Sequence, residues 1–271
     1  ANCVKEIFRT QRFVKGLSQA IKDLHRQGQK TVHILYAGTG PFAALALPIM
    51  LTFEPTQVQF TLLEINENSH DKLQMLLEQL DLMPYIRRLE LADASNYLVK
   101  DKDIAIILSE TMDLALFNEP QVSIMLNLGR QLDEKVIYIP QEINVSVCKQ
   151  ESTSSVTPLK KLIQFDGNYI REKVKTSTPG PWEFEKTGLE IDLNSNERLS
   201  YLTEIKIYKE FKLGLNDSSL TLLKSIKPSE KTGKLEFQYQ VSENPGFVVK
   251  KRNSFIDKCP VTGIPIKIPL P

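Results

Sequence analysis

The sequence predicts an α/β fold in which a parallel-sheet domain is followed by a C-terminal antiparallel, barrel-like β domain. Up to about residue 148, short apolar runs alternate with segments of helical periodicity, which is typical of a parallel sheet covered on both faces. After residue 150 helical periodicity is largely absent, and Ser, Thr, Pro and Gly interrupt short β-rich runs. With 271 residues the chain can form two modest domains. We expect an N-terminal helical segment (1–30), a parallel-sheet domain (31–148) and a β-rich domain (149–271).

In the first part of the chain, apolar residues at helical spacing predict a helix over Val4–Gln27. The run Thr31–Tyr36 predicts a strand that leads into a Gly-Thr-Gly turn, and Pro41 suits the first turn of a helix that Pro48 should end or kink. Further strands are predicted at Gln57–Ile65, Ile86–Leu91, Ile104–Leu108, Val136–Pro140 and Ile143–Cys148, and further helices at Ser69–Leu80 and Pro120–Gln131.

The C-terminal part is predicted to consist of short strands. They are expected at Tyr201–Tyr208, Phe211–Leu215, Leu220–Ser225, Leu235–Val241 and Phe247–Lys250. The segment from Gly167 to Ser200 is polar, contains the only tryptophan, Trp182, and has no clear period. Two interpretations stay open for it: a long insertion, or an arm that faces a partner.

Composition excludes several classes of protein. The net charge is +1, so no global field favours nucleic acid or a membrane surface. No apolar run reaches transmembrane length, and the N-terminus lacks the pattern of a signal peptide. The three cysteines are odd in number and far apart, which argues for a reducing compartment and against a structural metal site. We therefore expect a cytoplasmic protein without a metal.

The ends of three successive predicted strands carry residues suited to a nucleoside. Gly38 and Gly40 follow the first strand, where glycines let the backbone approach a ligand closely. Glu64 ends the next strand, where a carboxylate can accept both hydroxyls of a ribose, and Asp93 follows the third, where it could face an adenine amine. Because the carboxyl ends of parallel strands share one edge of a sheet, these residues predict a nucleoside-bearing cofactor there.

Phe42 narrows the identity of that cofactor. A dinucleotide requires a third glycine so that its pyrophosphate can lie against the helix, and Phe42 stands where that glycine would fall. A cofactor without a pyrophosphate suits this turn better, and S-adenosylmethionine fits, with its methionine portion near Gly38 and Gly40. A nicotinamide-dependent oxidoreductase is the less favoured alternative.

Two carboxylates follow the fourth predicted strand. Glu110 comes directly after it, and Glu119 lies nine residues further on. Acids at the end of an apolar strand are costly to desolvate, so they require a cationic partner or a proton. Two carboxylates can bind a guanidinium through paired hydrogen bonds, which makes a cationic substrate one such partner.

At these residues the chain resembles a known family. Residues 31 to about 147 resemble a class I S-adenosylmethionine-dependent methyltransferase with a Rossmann-like cofactor-binding domain. The stretch from Ser109-Glu110 to Asn118-Glu119 resembles the double-E loop of the protein arginine methyltransferases, which has the same spacing between its two glutamates. Gly-Thr-Gly-Pro at 38–41 is similar to the glycine motif of the branch that makes symmetric dimethylarginine.

The resemblance implies roles for individual residues. Glu110 and Glu119 would clamp the cationic substrate, and Met112, which stands where many members have Met, is a candidate substrate contact. Arg9 corresponds to an upstream arginine and is the candidate for the cofactor carboxylate, with Arg12 and Lys15 as alternatives.

The implied activity is N-methylation of a guanidino or amino nitrogen, with S-adenosylhomocysteine as the product of the cofactor. The acceptor could be a protein, a peptide or a small molecule, and family members form dimers through an arm in the barrel. The Thr-His-Trp or Phe-Ser-Trp element of the family barrel has no counterpart, since no histidine follows His70. A non-catalytic subunit that binds S-adenosylmethionine therefore stays open as an alternative.

Overall fold

The computed structural model describes residues 6–152, 155–176, 182–227 and 231–251. The first half of the chain forms a five-stranded sheet in which every neighbouring pair of strands is parallel. Its strands are Val32–Ala37 (β1), Val58–Glu64 (β2), Ile86–Leu91 (β3), Ile104–Ser109 (β4) and Ile137–Ile139 (β5). Their order is β3-β2-β1-β4-β5. Every residue of β1 is buried, as expected for the central strand of a sheet that is covered on both faces.

Four helices accompany the described part of this sheet. They are Ile7–Arg26 (α1), Leu47–Met50 (α2), Glu67–Gln79 (α3) and Gln121–Gly129 (α4). The prediction of a helix that runs from Pro41 to Pro48 is wrong, because a 3-10 turn at Gly40–Phe42 is followed by Ala43 in a left-handed conformation (φ 40°). The helix α2 then begins near Pro48, a position that suits proline because the first turn of a helix needs no N–H from it.

The second half of the chain forms two antiparallel sheets. Its elements are Glu142–Gln150 (β6), Val156–Asp166 (β7), Gly167–Thr176 (α5), Lys186–Asp192 (β8), Arg198–Tyr208 (β9), Phe211–Leu213 (β10), Lys224–Ile226 (β11), Thr232–Gln240 (β12) and Gly246–Lys251 (β13). One sheet has the order β10-β9-β6-β7 with β11 paired to β9, and the other has the order β13-β12-β8. Because β6 already pairs with β7 and β9, the antiparallel part begins at Glu142, before residue 149.

The polar segment from Gly167 to Ser200, which shows no clear period in the sequence, contains the helix α5 and the strand β8. The Asp166 carboxylate accepts the Tyr169 N–H at 2.8 Å at the start of α5, and this helix packs against α4. The Trp182 ring lies 5.7 Å from the guanidinium of Arg130. The helix α5 and Trp182 therefore pack on the parallel-sheet half of the same chain, whereas β8 pairs with β12 of the antiparallel half. Residues 177–181 lie outside the described ranges.

The helix α1 joins the two halves. Its Asp23 carboxylate accepts the Tyr208 hydroxyl at 3.1 Å and pairs with Lys209, and Lys209 holds the pKa of Asp23 below its ordinary value. At Gly16 the helix lies so close to Ile207 that a Cβ would approach its side chain to 2.7 Å. The helix is thus fixed to the β domain. Within the described ranges, no helix is long and apolar enough to cross a membrane.

Candidate active site

The order of the parallel sheet brings the predicted site residues to one edge. Gly38 follows β1, and the neighbouring strands β2 and β4 lead to Glu64 and Glu110. The next strand outward, β3, leads to Asp93. From β1 the chain first adds β2 and β3 on one side of the sheet and then β4 and β5 on the other. Such a change of side opens a crevice at the carboxyl ends of the strands.

A cavity of about 410 Å³ occupies the side of this crevice that lies towards β2 and β3. Gly38, Gly40, Glu64 and Asp93 all line it. The Glu64 carboxylate is buried and accepts the N–H of Gly40 at 2.7 Å and the N–H of Asn66 at 2.9 Å. These bonds fix the carboxylate against the glycine turn, and its remaining lone pairs can still accept hydrogen bonds from a ligand.

Both glycines of the turn have backbone conformations that favour glycine. Gly38 has φ 75° and Gly40 has φ 60°. At Gly38 a Cβ would also overlap the Cγ2 methyl of Thr111, which directly follows Glu110. The turn after β1 and the loop after β4 are therefore packed against each other with no room for a side chain at Gly38.

A second cavity of about 210 Å³ lies next to the first. Glu110 and Glu119 line both cavities, so the two carboxylates stand at their junction. Arg9, Met112 and Asp113 line the second cavity only. The sequence prediction thus names residues that the structure brings together, with Met112 buried and contributing an apolar surface.

Arg9 is buried and forms an ion pair with Glu110. Its guanidinium NH1 lies 3.5 Å from Glu110 Oε1, and both side chains are about 95% buried, with exposures of 5% and 4%. Among the described residues, none accepts a hydrogen bond from Arg9 Nε, although Glu6 Oε2 lies 3.8 Å away. Arg9 lines the second cavity, and a guanidinium on the wall of a cavity can take an anionic group of a ligand. Arg12 and Lys15, the alternatives, are not among the described lining residues.

Glu119 lies at the mouth of the second cavity and is exposed to solvent. The surrounding protein still desolvates the carboxylate, which raises the pKa of Glu119, and the negative charge of Asp113 raises it further. Arg9 acts in the opposite direction with a smaller effect. A cation that enters the cavity would therefore stabilise the charged form of the Glu119 carboxylate.

Gln121 closes the loop that carries both glutamates, and the sequence analysis did not identify it. Its amide oxygen accepts the N–H and the hydroxyl of Thr111, each at 3.0 Å, and its amide nitrogen donates to the Ser109 carbonyl at 3.2 Å. The side chain is fully buried. A glutamine at the start of a helix gives no signal in the sequence that would reveal this contact.

The β domain contributes a turn to the second cavity. Ser219 and Leu220 line it from a 3-10 turn at Ser219–Thr221, where Leu220–Ser225 was wrongly predicted as one strand. Ser218 and Thr221 form a capping box that stabilises this turn. The spacing of a Ser and a Thr was the only sequence signal for it.

Comparison with known proteins gives likeness of fold at low identity. No protein-family model and no curated protein sequence matches the chain. A chain of the Trypanosoma brucei PRMT1 enzyme–prozyme heterotetrameric complex with AdoHcy is 13% identical, with a TM-score of 0.58 over 93% of both chains. Protein arginine methyltransferase 10 of Arabidopsis thaliana is 10% identical, with a TM-score of 0.60 over 92% of both chains. The chain therefore has the fold of these methyltransferases, and the predicted fold class is confirmed.

Proposed function

We propose that this chain is an S-adenosylmethionine-dependent N-methyltransferase that acts on a guanidino or amino nitrogen. The observation that carries the proposal is the position of Glu110 and Glu119 at the junction of two cavities. One cavity has the residues that a nucleoside requires, and the other has acidic walls that suit a cation. The shared fold with two arginine methyltransferases, one of them in a complex with AdoHcy, supports this assignment.

The residues of the first cavity fit S-adenosylmethionine. Glu64 would accept the ribose hydroxyls, and Asp93 would face the adenine. The methionine portion would lie beside the glycine turn, whose two glycines line both cavities, and its carboxylate would reach the Arg9 guanidinium on the wall of the second cavity. When bound, this cofactor supplies an electrophilic methyl group on a sulfonium.

The residues of the second cavity would bind and orient the acceptor. Glu119 and Glu110 would hold a guanidinium or ammonium by charge-assisted hydrogen bonds and keep its nitrogen in line for the transfer. Their negative charge would draw the positive charge of a guanidinium away from the reacting nitrogen, which makes that nitrogen a better nucleophile. Met112 would pack against the aliphatic part of the acceptor.

The first test is binding of S-adenosylhomocysteine, measured by isothermal titration calorimetry. We expect binding to the wild type, and no detectable binding would remove the cofactor from the proposal. In a transfer assay with arginine-containing peptides, Glu119→Gln and Glu110→Gln should each lower kcat by about 100-fold or more, because an electrostatic contact to the reacting group is lost. Affinity for S-adenosylhomocysteine should be retained in Glu119→Gln, which leaves the pair of Arg9 and Glu110 intact.

Glu78→Gln is a matched control, since Glu78 lies on the exposed side of α3 and lines neither cavity. Unchanged transfer in both active-site variants would remove the role of the two glutamates. The alternative of a non-catalytic subunit predicts binding of S-adenosylhomocysteine with no transfer to any guanidino or amino acceptor. Stabilisation by a nicotinamide dinucleotide in a thermal-shift assay would instead favour the oxidoreductase.

A further inference from the structure

The loop between Glu110 and Glu119 has an unusual backbone. Ala115, Leu116 and Asn118 have φ values of 55°, 62° and 64°, in the left-handed region that residues with a side chain rarely adopt. Strained conformations of this kind persist only where the surrounding structure imposes them. The short hydrogen bonds within the loop, such as that from Asn118 Nδ2 to Asp113 Oδ2 at 2.9 Å, do not fix its position relative to the sheet.

The β domain makes three hydrogen bonds to the backbone of these same residues. Thr203 Oγ1 accepts the N–H of Ala115 at 3.2 Å, and the Tyr239 hydroxyl donates to the Leu116 carbonyl at 2.8 Å. The Asn118 N–H donates to the carbonyl of Pro245 at 2.9 Å. Each residue with a positive φ therefore has a partner on the β domain.

Phe117, in the middle of the loop, is inserted into an aromatic cluster of the β domain. Its ring centroid lies 5.4 Å from that of Tyr201 and 6.2 Å from that of Phe247. The ammonium of Lys224 lies 4.7 Å from the centre of the ring. At Gly246 a Cβ would overlap the Phe117 ring, so the side chain fills the space between these strands.

We propose that Tyr239 and Thr203 are positioning residues that hold the loop in the conformation in which Glu119 faces the acceptor cavity. Neither is among the described residues that line that cavity, so they act through the loop backbone. The β domain would thus set the geometry of the acceptor site while the parallel sheet holds the cofactor. The link to catalysis rests on the proposed function, whereas the link to loop conformation does not.

Tyr239→Phe is the most conservative test, because it removes only the hydroxyl that donates to Leu116 and keeps the ring against Phe247 at 5.1 Å. Thr203→Val similarly removes the acceptor for the Ala115 N–H with little change of shape. Tyr85→Phe is the matched control, since its hydroxyl also donates to a backbone carbonyl, that of Phe53 at 2.9 Å, and neither residue lines one of the two cavities.

Three measurements are made on each variant: hydrogen exchange of the amides of residues 113–119, affinity for S-adenosylhomocysteine, and transfer kinetics. In Tyr239→Phe and Thr203→Val we expect faster exchange in the loop and a loss of about tenfold or more in kcat, since misplacement of reacting groups is costly in rate. Affinity for S-adenosylhomocysteine should not change, and Tyr85→Phe should resemble the wild type in all three.

Loop exchange at the wild-type rate in both variants would overturn the inference, whatever the activity. Faster exchange with unchanged kcat would also overturn it, because the loop would then be held without consequence for the site. If the wild type transfers no methyl group, the proposed function fails, and the exchange data alone decide whether the β domain holds the loop.

Discussion

The two halves of the molecule contribute to the site in different ways. The parallel sheet supplies charged and glycine residues at strand ends, among them Gly38, Glu64 and Glu110, each placed by the strand that precedes it. The β domain supplies a cavity-lining turn and the contacts of Tyr239 and Thr203 to the glutamate loop. In the proposed function the first half therefore carries the chemical groups of the site, and the second half contributes to its geometry. Substitutions in the two halves should therefore differ in how they change activity and stability.

Gly38→Ala should have an effect on the scale of the two glutamate variants, because it disturbs the contact between the turn after β1 and the loop after β4. A left-handed conformation costs a residue with a Cβ about 1–2 kcal/mol. The new Cβ would also overlap Thr111, which is fixed by its bonds to Gln121 and is adjacent to Glu110. We expect kcat/KM to fall by about 100-fold, the scale that a displacement of about 1 Å in a catalytic group produces.

Gly28→Ala is the control for the cost of the left-handed backbone conformation alone. Gly28 has φ 93° and has no atom within 4 Å of the Cβ position, so it carries the conformational penalty without the overlap. Thermal unfolding should show a larger loss of stability in Gly38→Ala than in Gly28→Ala, and steady-state methyl transfer should show a loss of activity only in Gly38→Ala. Equal activity in the two variants would mean that the overlap with Thr111 is relieved without moving Glu110.

The sequence predicted the parallel half well because its signals are local. A buried strand followed by a glycine or an acid can be recognised within about ten residues, and parallel order places such ends at one edge. The β-domain contacts could not be predicted in this way, since Tyr239 is 123 positions from Leu116 in sequence.

The helix α5 did have a signal in Ile170 and Val174, four residues apart, but its polar composition concealed it. The role of Pro48 was predicted wrongly because proline is common both in the first turn of a helix and just after the end of the preceding one.

Gln121→Leu tests the anchor of the same loop that comes from the parallel half. The substitution leaves the Thr111 N–H and the Ser109 carbonyl without their partner in a buried environment, which costs about 1–3 kcal/mol for each unsatisfied group. We expect the free energy of unfolding, measured by urea denaturation, to fall by about 2–6 kcal/mol. The kcat should also fall, because Thr111 and the start of the loop are released together.

Ser123→Ala is the matched control for Gln121→Leu, since Ser123 lies on the same helix and donates to the Pro120 carbonyl at an exposed position. Gln121→Leu and Tyr239→Phe should differ in their effects. Gln121→Leu should lower stability and activity together, whereas Tyr239→Phe should lower activity more than stability. If Gln121→Leu and Tyr239→Phe lose stability and kcat in the same proportion, the two halves do not make different contributions to the site.

Asp113→Asn should have the smallest effect and separates charge from position within the loop. The asparagine oxygen can still accept from Asn118 Nδ2, so the loop keeps its shape while one negative charge is lost. Desolvation by the surrounding protein raises the pKa of Glu119 and Asp113 raises it further, so cation binding should weaken as the pH falls through that raised pKa. Without the charge of Asp113 the pKa of Glu119 falls, and the acidic limb of the pH profile of kcat/KM should move to lower pH. The shift should be small, because desolvation is the larger cause of the raised pKa and is unchanged. Asp71→Asn, at an exposed site on α3, should leave the profile in place, and a shift of the Asp113→Asn profile to higher pH would exclude Glu119 as the titrating group.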